Sequence, residues 1–561
     1  MGGLLHYHYP IEGQNVIQIA GWSPPSSLIL LIPILIFGSL ITGILVTQLA
    51  PEAEGHGTDA AIKAFHGTGK IRARVPVIKA LTAIATIATG GSAGREGPTA
   101  QISAGFGSIV ADRMGLSEKE RRIALTTGIG AGIGTIFKAP LGGAVLAAEI
   151  LYTRDFEADA IIPAFLASIV GYAIFGFFEG YDAIFSLTPL AWSVSQIPLF
   201  LLLGIFCAFF GLLYIWTFYW TKDQFSFFFS KHNLPLFLKP VLGAVLIGIL
   251  VIVLSFVSPE GETLGLAGLG SGYGFTQLML YSMLPLAVVL FLPIIKILTT
   301  SLTLGSGGSG GVFAPGLMVG AATGASVGIL FHWFFPALVP VESVPVFVIV
   351  GMISLFGAVA NAPIAVMIMV VEMTGSFSLL VPAMGAVAVS CLLTGEKTIF
   401  REQVPTKAQS GAHRGEFNRE MLEGIKVNDV MIQRSRVSTF APGDPIGAVL
   451  TRLGTTTHTG FPVLENDRLF GIITINDVQN IPHEPGKSQI VAGHMIKNID
   501  VIYPDNSLED ALAMMVTHNI SHLPVVSRED NGCLVGLLTR TDILRTYARH
   551  SASMHPLETK S

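Results

Sequence analysis

Charge is what this sequence has least of. Only 13% of its 561 residues are Asp, Glu, Lys or Arg, whereas a soluble chain carries about a quarter. With 51% hydrophobic residues and a mean hydropathy of +0.63, most of the chain cannot face water. The shortage is uneven, since 34 of the 71 charged residues fall in the last 161. The composition therefore predicts a membrane protein with a soluble tail. A basic excess is missing as well: a net charge of −5 and a pI near 6.3 argue against nucleic acid as a partner. Cysteine is scarce, and Cys207, Cys391 and Cys533 lie far apart, so neither a disulfide framework nor a metal site is expected. A cleavable leader is not expected either, because the apolar run 28–49 is too long for one.

What is present is a series of apolar runs. About 20 apolar residues cross a bilayer as a helix, and 28–49, 160–178, 197–220, 237–257, 284–303 and 346–371 qualify. Shorter apolar pieces, cut by Gly and Pro, cover 76–94, 123–150, 312–334 and 377–394. Broken segments are tolerated at membrane depth where their backbone is buried in protein or lines a cavity, so a pathway is to be sought there. The basic loop 113–122 (Arg113, Lys119, Arg121, Arg122) and the charged tail are expected on the cytoplasmic side.

Two kinds of internal repeat stand out. Ala139-Pro140 is followed by Glu149 and Ala362-Pro363 by Glu372, nine residues beyond the proline in each case. Upstream lie Gly94-x-x-x-Pro98 and Gly311-x-x-x-Pro315. Matching interrupted helices in two halves point to an inverted repeat with its ligand site between them. In the tail, Gly460-Phe-Pro-Val-Leu464 with Gly471 to Asp477 is echoed by His522-Leu-Pro-Val-Val526 with Gly536 to Asp542. Each echo reads as strand, turn, strand and then a helix starting near the Asp.

The chemistry lies in the breaks. Gly90 to Gln101 holds Arg95 and Glu96 among glycines, and Gly305 to Pro315 has no charge but is the most glycine-rich stretch of the chain. Glycines let backbone approach a ligand closely, and the helix N-terminus that follows offers unpaired N–H groups and a positive dipole end. That suits an anion, held weakly enough to leave because no Lys or Arg is expected beside it. A carboxylate in such a place is itself an anion, so Glu96 can occupy the site or vacate it on protonation. This makes it a gate and proton carrier, and an ionisable group within a membrane is functional by default. The plainer reading pairs it with Arg95 or makes it a helix cap.

Gly55-His-Gly57, Gly94-Arg-Glu-Gly-Pro98 and Gly310-Gly-Val-Phe-Ala-Pro315 resemble, in order and spacing over roughly 28–400, the three anion-pore motifs of the CLC family of chloride channels and proton/chloride exchangers. The tail resembles a tandem pair of CBS domains. The resemblance implies an α-helical membrane domain of two inverted halves with some 18 tilted and re-entrant helices, and an α/β CBS pair on a cytoplasmic tail. It also implies a homodimer with one pore per subunit. It puts Glu96 on the gating glutamate, with Gly94, Arg95, Gly97 and Pro98 completing the gate loop. The amides of Val312 and Phe313 fall on those that hold the anion, and Gly311 and Pro315 shape their turn. Three positions depart from the pattern. His56 replaces a serine whose hydroxyl contacts the anion; its N–H is a candidate donor and its charge changes between about pH 5 and 8, while the alternative is a packed, neutral ring. Phe400 replaces a pore tyrosine and is expected to pack. Ile150 stands on the internal proton glutamate, leaving coupling by another route, or weak or absent coupling, as open outcomes. Glu149 and Glu372 are expected to be structural carboxylates at helix ends.

In the tail, Thr474 with Asp477 and Thr539 with Asp542 sit at strand-to-helix turns. They read either as helix caps or as contacts for an adenine nucleotide such as ATP, which CBS pairs often bind; no other cofactor is expected. Two alternatives compete. Gly307-Gly-Ser-Gly310 fits the Gly-x-Ser-Gly of rhomboid-type intramembrane proteases with Ser309 as nucleophile, which needs a His base; only His332 lies between Ser309 and the tail. A CBS-bearing magnesium transporter would need clustered acidic residues in the spans. The expected organisation is an N-terminal segment 1–27, a membrane domain 28–400, a linker 401–425, CBS repeats 426–482 and 483–550, and an end segment 551–561. The protein is read as a multi-pass, non-enzymatic transporter of the inner or plasma membrane. It passes chloride or a similar small anion, with protons as a candidate second ion.

Overall fold

The computed structural model describes residues 28–187, 190–413, 422–456, 459–479, 481, 489–530 and 532–554. The expected N-terminal segment, part of the linker (414–421), the junction of the two repeats and the last seven residues lie outside the described residues. The chain divides into two units, Met1–Ala412 and His413–Ser561.

The first unit is helical. Its first half comprises α1 (Leu31–Leu49), α2 (Thr58–His66), α3 (Arg74–Ala88), α4 (Glu96–Arg113), α5 (Glu118–Ile136), α6 (Pro140–Glu149) and α7 (Ala158–Glu179). The second comprises α8 (Ile197–Lys231), α9 (Lys239–Val257), α10 (Gly261–Ala267), α11 (Tyr273–Leu280), α12 (Leu286–Gly305), α13 (Phe313–Phe334), α14 (Val344–Val359), α15 (Pro363–Thr374) and α16 (Leu380–Thr394). Among the described residues, eight helical segments are long and apolar enough to cross a membrane.

Two expectations about the spans are corrected. The run 346–371 is not one span: α14 ends at Val359, Asn361 turns the chain at φ +51°, and α15 starts afresh at Pro363. Apolar composition hid the break because the turn residues Ala360 and Ala362 are apolar too. Conversely, 312–334 is not a fragment. Its glycines are absorbed in one continuous 22-residue helix, α13, because they face α14: a Cβ added to Gly351 would lie 2.9 Å from Gly324 Cα. Small residues let two helices approach this closely in a membrane.

The two halves share local geometry. Lys138 and Asn361 both adopt φ near +50°, at 50° and 51°, and the next residues, Ala139 and Ala362, have φ/ψ of −129°/70° and −139°/61°. Each turn leads into a short helix with Pro at its first position, where the missing N–H costs nothing. Burial sorts the helices by depth: the most apolar stretch of α14 is 89% buried and that of α13 83%, against 17% for α7. Ile162, Leu166, Ile169 and Phe177 of α7 are exposed, which water would penalise and lipid does not.

The second unit holds two antiparallel hairpins. β2 (Gly460–Glu465) pairs with β3 (Arg468–Thr474), Gly460 opposite Thr474, around Asn466 and Asp467 at φ +52° and +62°. Positive φ at both central residues gives the turn whose twist matches a hairpin. β4 (His522–Val526) pairs with β5 (Leu534–Thr539). Helices Ile475–Gln479 and Arg540–Met554 follow directly, as each echo predicted. One feature was not legible: β1 (Ile432–Gln433) joins β5, and Leu422, Val427 and Met431 pack with Leu523, Val525 and Leu538. Residues placed by sequence with the linker and the first repeat thus complete the core of the second.

Candidate functional site

Three glycine-rich segments, far apart in sequence, are zipped together by backbone hydrogen bonds. Gly94 N–H donates to Gly311 O at 2.8 Å and Gly311 N–H returns to Gly94 O at 2.6 Å. Gly55 N–H donates to Gly308 O at 3.0 Å, and Gly310 N–H to Gly55 O at 3.2 Å. Side chains would prevent this. A Cβ on Gly311 would lie 2.7 Å from Gly97 N, and one on Gly97 2.9 Å from Gly311 Cα. The junction brings the starts of α4 and α13 together, at Glu96 and Phe313. Helix-start N–H groups have no intrahelical partner, and their dipoles put partial positive charge here.

Glu96 is 1% exposed. Its Oε1 accepts from Tyr273 Oη–H at 2.7 Å, and Oε2 lies against Gly94, beside the first turn of α13. Pro98 is buried in the first turn of α4, whereas Arg95 is exposed. Val312 O accepts from Tyr214 Oη–H at 3.3 Å, which fixes the turn before Phe313.

His56 and Phe400 meet on the other side of these loops. Their ring centroids are 5.4 Å apart, and Phe400 lies 5.9 Å from Phe313, which in turn contacts Phe356 at 4.6 Å. The expected packing of Phe400 is thus what the structure contains. His56 is 6% exposed, its Nε2 lies 3.6 Å from Asp59 Oδ2, and its Nδ1 has no hydrogen-bond partner. A buried ring nitrogen with nothing to bond is costly, and it stands at the position read as the anion donor.

Sequence reasoning missed the supports of the site. Tyr273 lies in a second glycine-rich break, Gly268-Leu-Gly-Ser-Gly-Tyr-Gly274, a signal that was available. The expectation that no fixed cation stands beside the loops is corrected. Lys79 of α3, fully buried, donates from Nζ to Gly55 O at 2.7 Å and to Ala53 O at 3.0 Å. Lys296 of α12, also fully buried, holds the carbonyls of Gly268, Leu269 and Gly270 at 2.8–3.2 Å. Both lysines come from neighbouring helices, outside the motifs, so only tertiary structure brings them in.

The repeated glutamates are reciprocal caps. Glu149 accepts from Ile364 N (3.2 Å) and Ala365 N (2.7 Å) at the start of α15. Glu372 accepts from Leu141 N (3.2 Å) and Gly142 N (2.8 Å) at the start of α6. Each half therefore caps the broken helix of the other. Ser309 is fully buried, donates to Ala53 O at 3.1 Å and accepts from Thr82 Oγ1–H at 2.9 Å. Among the described residues its hydroxyl bonds a threonine and a carbonyl, and no imidazole is at hydrogen-bond distance. Among the described residues no group of three or more His, Cys, Asp or Glu is placed to hold a metal.

In the tail, Asp477 Oδ2 accepts from Thr474 N and Oγ1, both at 2.7 Å, and Asp542 Oδ2 accepts from Thr539 N at 3.1 Å and Oγ1 at 2.5 Å. Thr539 and Asp542 also line a polar cleft of about 150 Å³ with Thr459, His522, Arg540 and Arg545. Thr474 and Asp477 do not line it.

A two-half membrane unit whose broken helices aim their N-termini at one buried, glycine-walled junction defines a transport protein. The comparisons agree. The sequence profile of the voltage gated chloride channel family matches residues 38–395, and the CBS domain profile matches 427–484 and 489–549. The chain is 34% identical over 385 residues to an uncharacterised protein of Methanocaldococcus jannaschii, covering 68% of this chain and 89% of that one. It is 31% identical over 372 residues to a Vibrio cholerae protein named H(+)/Cl(-) exchange transporter ClcA, covering 64% of this chain and 76% of that one. In fold it is similar to a slow cyanobacterial Cl⁻/H⁺ antiporter, with a TM-score of 0.56 and 24% identity over 67% of this chain and 86% of the other. It is also similar to a eukaryotic CLC transporter, with a TM-score of 0.51 and 17% identity over 92% of this chain and 90% of the other. The chain belongs to the voltage-gated chloride channel family and carries a C-terminal CBS pair.

Proposed function

We propose that the protein carries chloride or a similarly small anion across a membrane, as a channel or as a proton/chloride antiporter, with Glu96 as its gate. The observation that supports this most is the buried Glu96 carboxylate at the meeting point of two helix N-termini. There it sits where an anion is best solvated by oriented N–H groups. When neutralised it loses that attraction and frees the place for the transported ion. The amides of Val312 and Phe313 are assigned to the anion, and His56 Nδ1, buried without a partner, is assigned as a further donor in place of a serine hydroxyl. Gly311 shapes their turn, and Phe400 closes the path by its ring. Relatives named as H⁺/Cl⁻ exchangers support the choice of chloride.

In this reading the basic loop 113–122 and the tail face the cytoplasm of a cell whose inner or plasma membrane holds the protein as a homodimer. The cleft at Thr539 and Asp542 takes an adenine nucleotide, its phosphates meeting Arg540 and Arg545. The test is flux from liposomes loaded with chloride. The wild type releases chloride, and Glu96→Ala releases it without gating and without moving protons. Loss of all effect of Glu96→Ala on flux and coupling would refute the gate.

A further inference from the structure

The membrane unit buries three carboxylates among its described residues: Glu96, Glu149 and Glu157. Their partners separate them. Glu96 is the gate, and Glu149 meets two backbone amides, which only donate and give a fixed cap. Glu157, 2% exposed, instead meets two titratable side chains. Tyr152 Oη–H donates to its Oε2 at 2.8 Å, and Lys407 Nζ lies 3.4 Å from its Oε1. The Lys407 side chain is 33% exposed and so connects the buried carboxylate to water.

The position is equally specific. Glu157 N–H donates to Ala148 O at 2.9 Å, folding the loop after α6 back over the end of that helix, beside the buried Ile150. The segment 403–407 lies along the same loop: Thr153 N–H donates to Val404 O at 3.0 Å, Arg154 N–H to Pro405 O at 3.0 Å, and Lys407 N–H to Asp155 Oδ2 at 2.9 Å. From α2, His66 packs on the Tyr152 ring at 5.5 Å and bonds Ser410 Oγ at 2.8 Å. Two residues beyond Glu157, Asp159 pairs with Lys119 of the basic loop at 3.3 Å, so Glu157 belongs to that face of the membrane. Among the described residues Tyr152 and Lys407 meet Glu157, with His66 against the Tyr152 ring and Asp155 on the Lys407 backbone.

We propose that Glu157 is the proton-loading carboxylate on the face of the basic loop, accepting protons from water and passing them toward Glu96 in exchange for anions. This rests on the anion-transport reading above. In one cycle a Glu157 carboxylate oxygen gains one proton from the aqueous phase, relayed by Lys407, whose ammonium gives up a proton and regains one from water. The carboxyl then yields that proton to water in the pathway, which delivers it to the Glu96 carboxylate, and Glu157 is again an anion. One proton enters and one leaves, and no electron moves.

The test reconstitutes the full chain in liposomes and records chloride efflux and proton uptake together under an outward chloride gradient. Wild type is expected to move protons uphill. Glu157→Gln keeps the shape and lowers proton uptake at least about tenfold while chloride still leaves. Adding Ile150→Glu to that variant is expected to restore proton uptake, which a merely structural Glu157 would not allow. If Glu157→Gln does not fold, Lys407→Met carries the test, slowing proton uptake more than chloride efflux. The proposal is overturned by chloride efflux without uphill protons in wild type, by unchanged proton uptake in Glu157→Gln or, where that variant does not fold, in Lys407→Met, or by a parallel fall of both fluxes. A wild type that releases no chloride would instead overturn the anion-transport reading itself.

Discussion

The two halves of the membrane unit are alike where they hold each other and unlike where they meet the pathway. Lys138 and Asn361 turn the chain identically, Pro140 and Pro363 open the next helices, and Glu149 and Glu372 each cap the partner half. At the glycine breaks the symmetry fails. The first half offers a carboxylate, Glu96; the second offers only the backbone of Val312 and Phe313. The shared features build the scaffold, and the divergence carries the chemistry.

The largest effect expected from breaking this comparison is at Gly97, whose counterpart in the second half is Ala314. Gly97→Ala drives a methyl to 2.9 Å from Gly311 Cα and into the His56 carbonyl, overpacking backbone against backbone. A cost of about 1–3 kcal/mol or more and loss of flux are expected. Ala314→Gly on the other side costs about 1 kcal/mol of helix propensity and leaves flux measurable. Thermal unfolding in detergent, run beside the flux assay, checks both.

Next are the two caps. Glu149→Gln leaves one amide of α15 facing an NH₂ group, and about 1–3 kcal/mol of stability should go with it. Glu372→Gln should cost less, since Glu372 is partly exposed while Glu149 is buried. Equal losses would mean that burial does not set the difference. Smaller again is Tyr273→Phe, in the second half, which removes that half's hydrogen bond to Glu96 of the first. Removing one hydrogen bond to Glu96 is worth about 1.4 kcal/mol, so anion flux should rise by up to about tenfold while the melting temperature falls slightly.

The smallest effect lies outside the halves, in the tail. Arg528 Nε bonds both oxygens of Asp505, at 2.8 and 2.9 Å, and that contact holds the Asp505 carboxyl below its ordinary value. A lowered carboxyl stabilises the folded tail above the unfolded group's value and loses that contribution as pH falls through the folded one. Both groups are exposed, so Arg528→Ala should leave unfolding at neutral pH almost unmoved and remove only a slight acid sensitivity. A large change at neutral pH would show that the exposed pair bears more of the fold than its surroundings imply.

Much of this was legible in the chain. The motifs that gather at the site, the paired Ala-Pro turns and the repeated hairpins follow from local rules: glycine where backbone must approach backbone, proline where a helix starts, alternation where a strand is half buried. The break at Asn361 was marked by the Ala362-Pro363 repeat, but hydropathy ran straight through it, because the residues around it are as apolar as a helix interior. The exchange that places Val427 and Ile432 with the second CBS repeat was not legible.

The sequence by itself determined that a membrane holds this chain, that it has two related halves, and that an anion suits the breaks between them. Only tertiary structure decided which groups serve those breaks. Tyr273 reaches Glu96 across 177 positions, Lys79 and Lys296 brace loops from other helices, and Glu149 caps a helix 215 positions away. Hydropathy and spacing act over a few turns of backbone, whereas a buried polar group must find its partner wherever packing brings one.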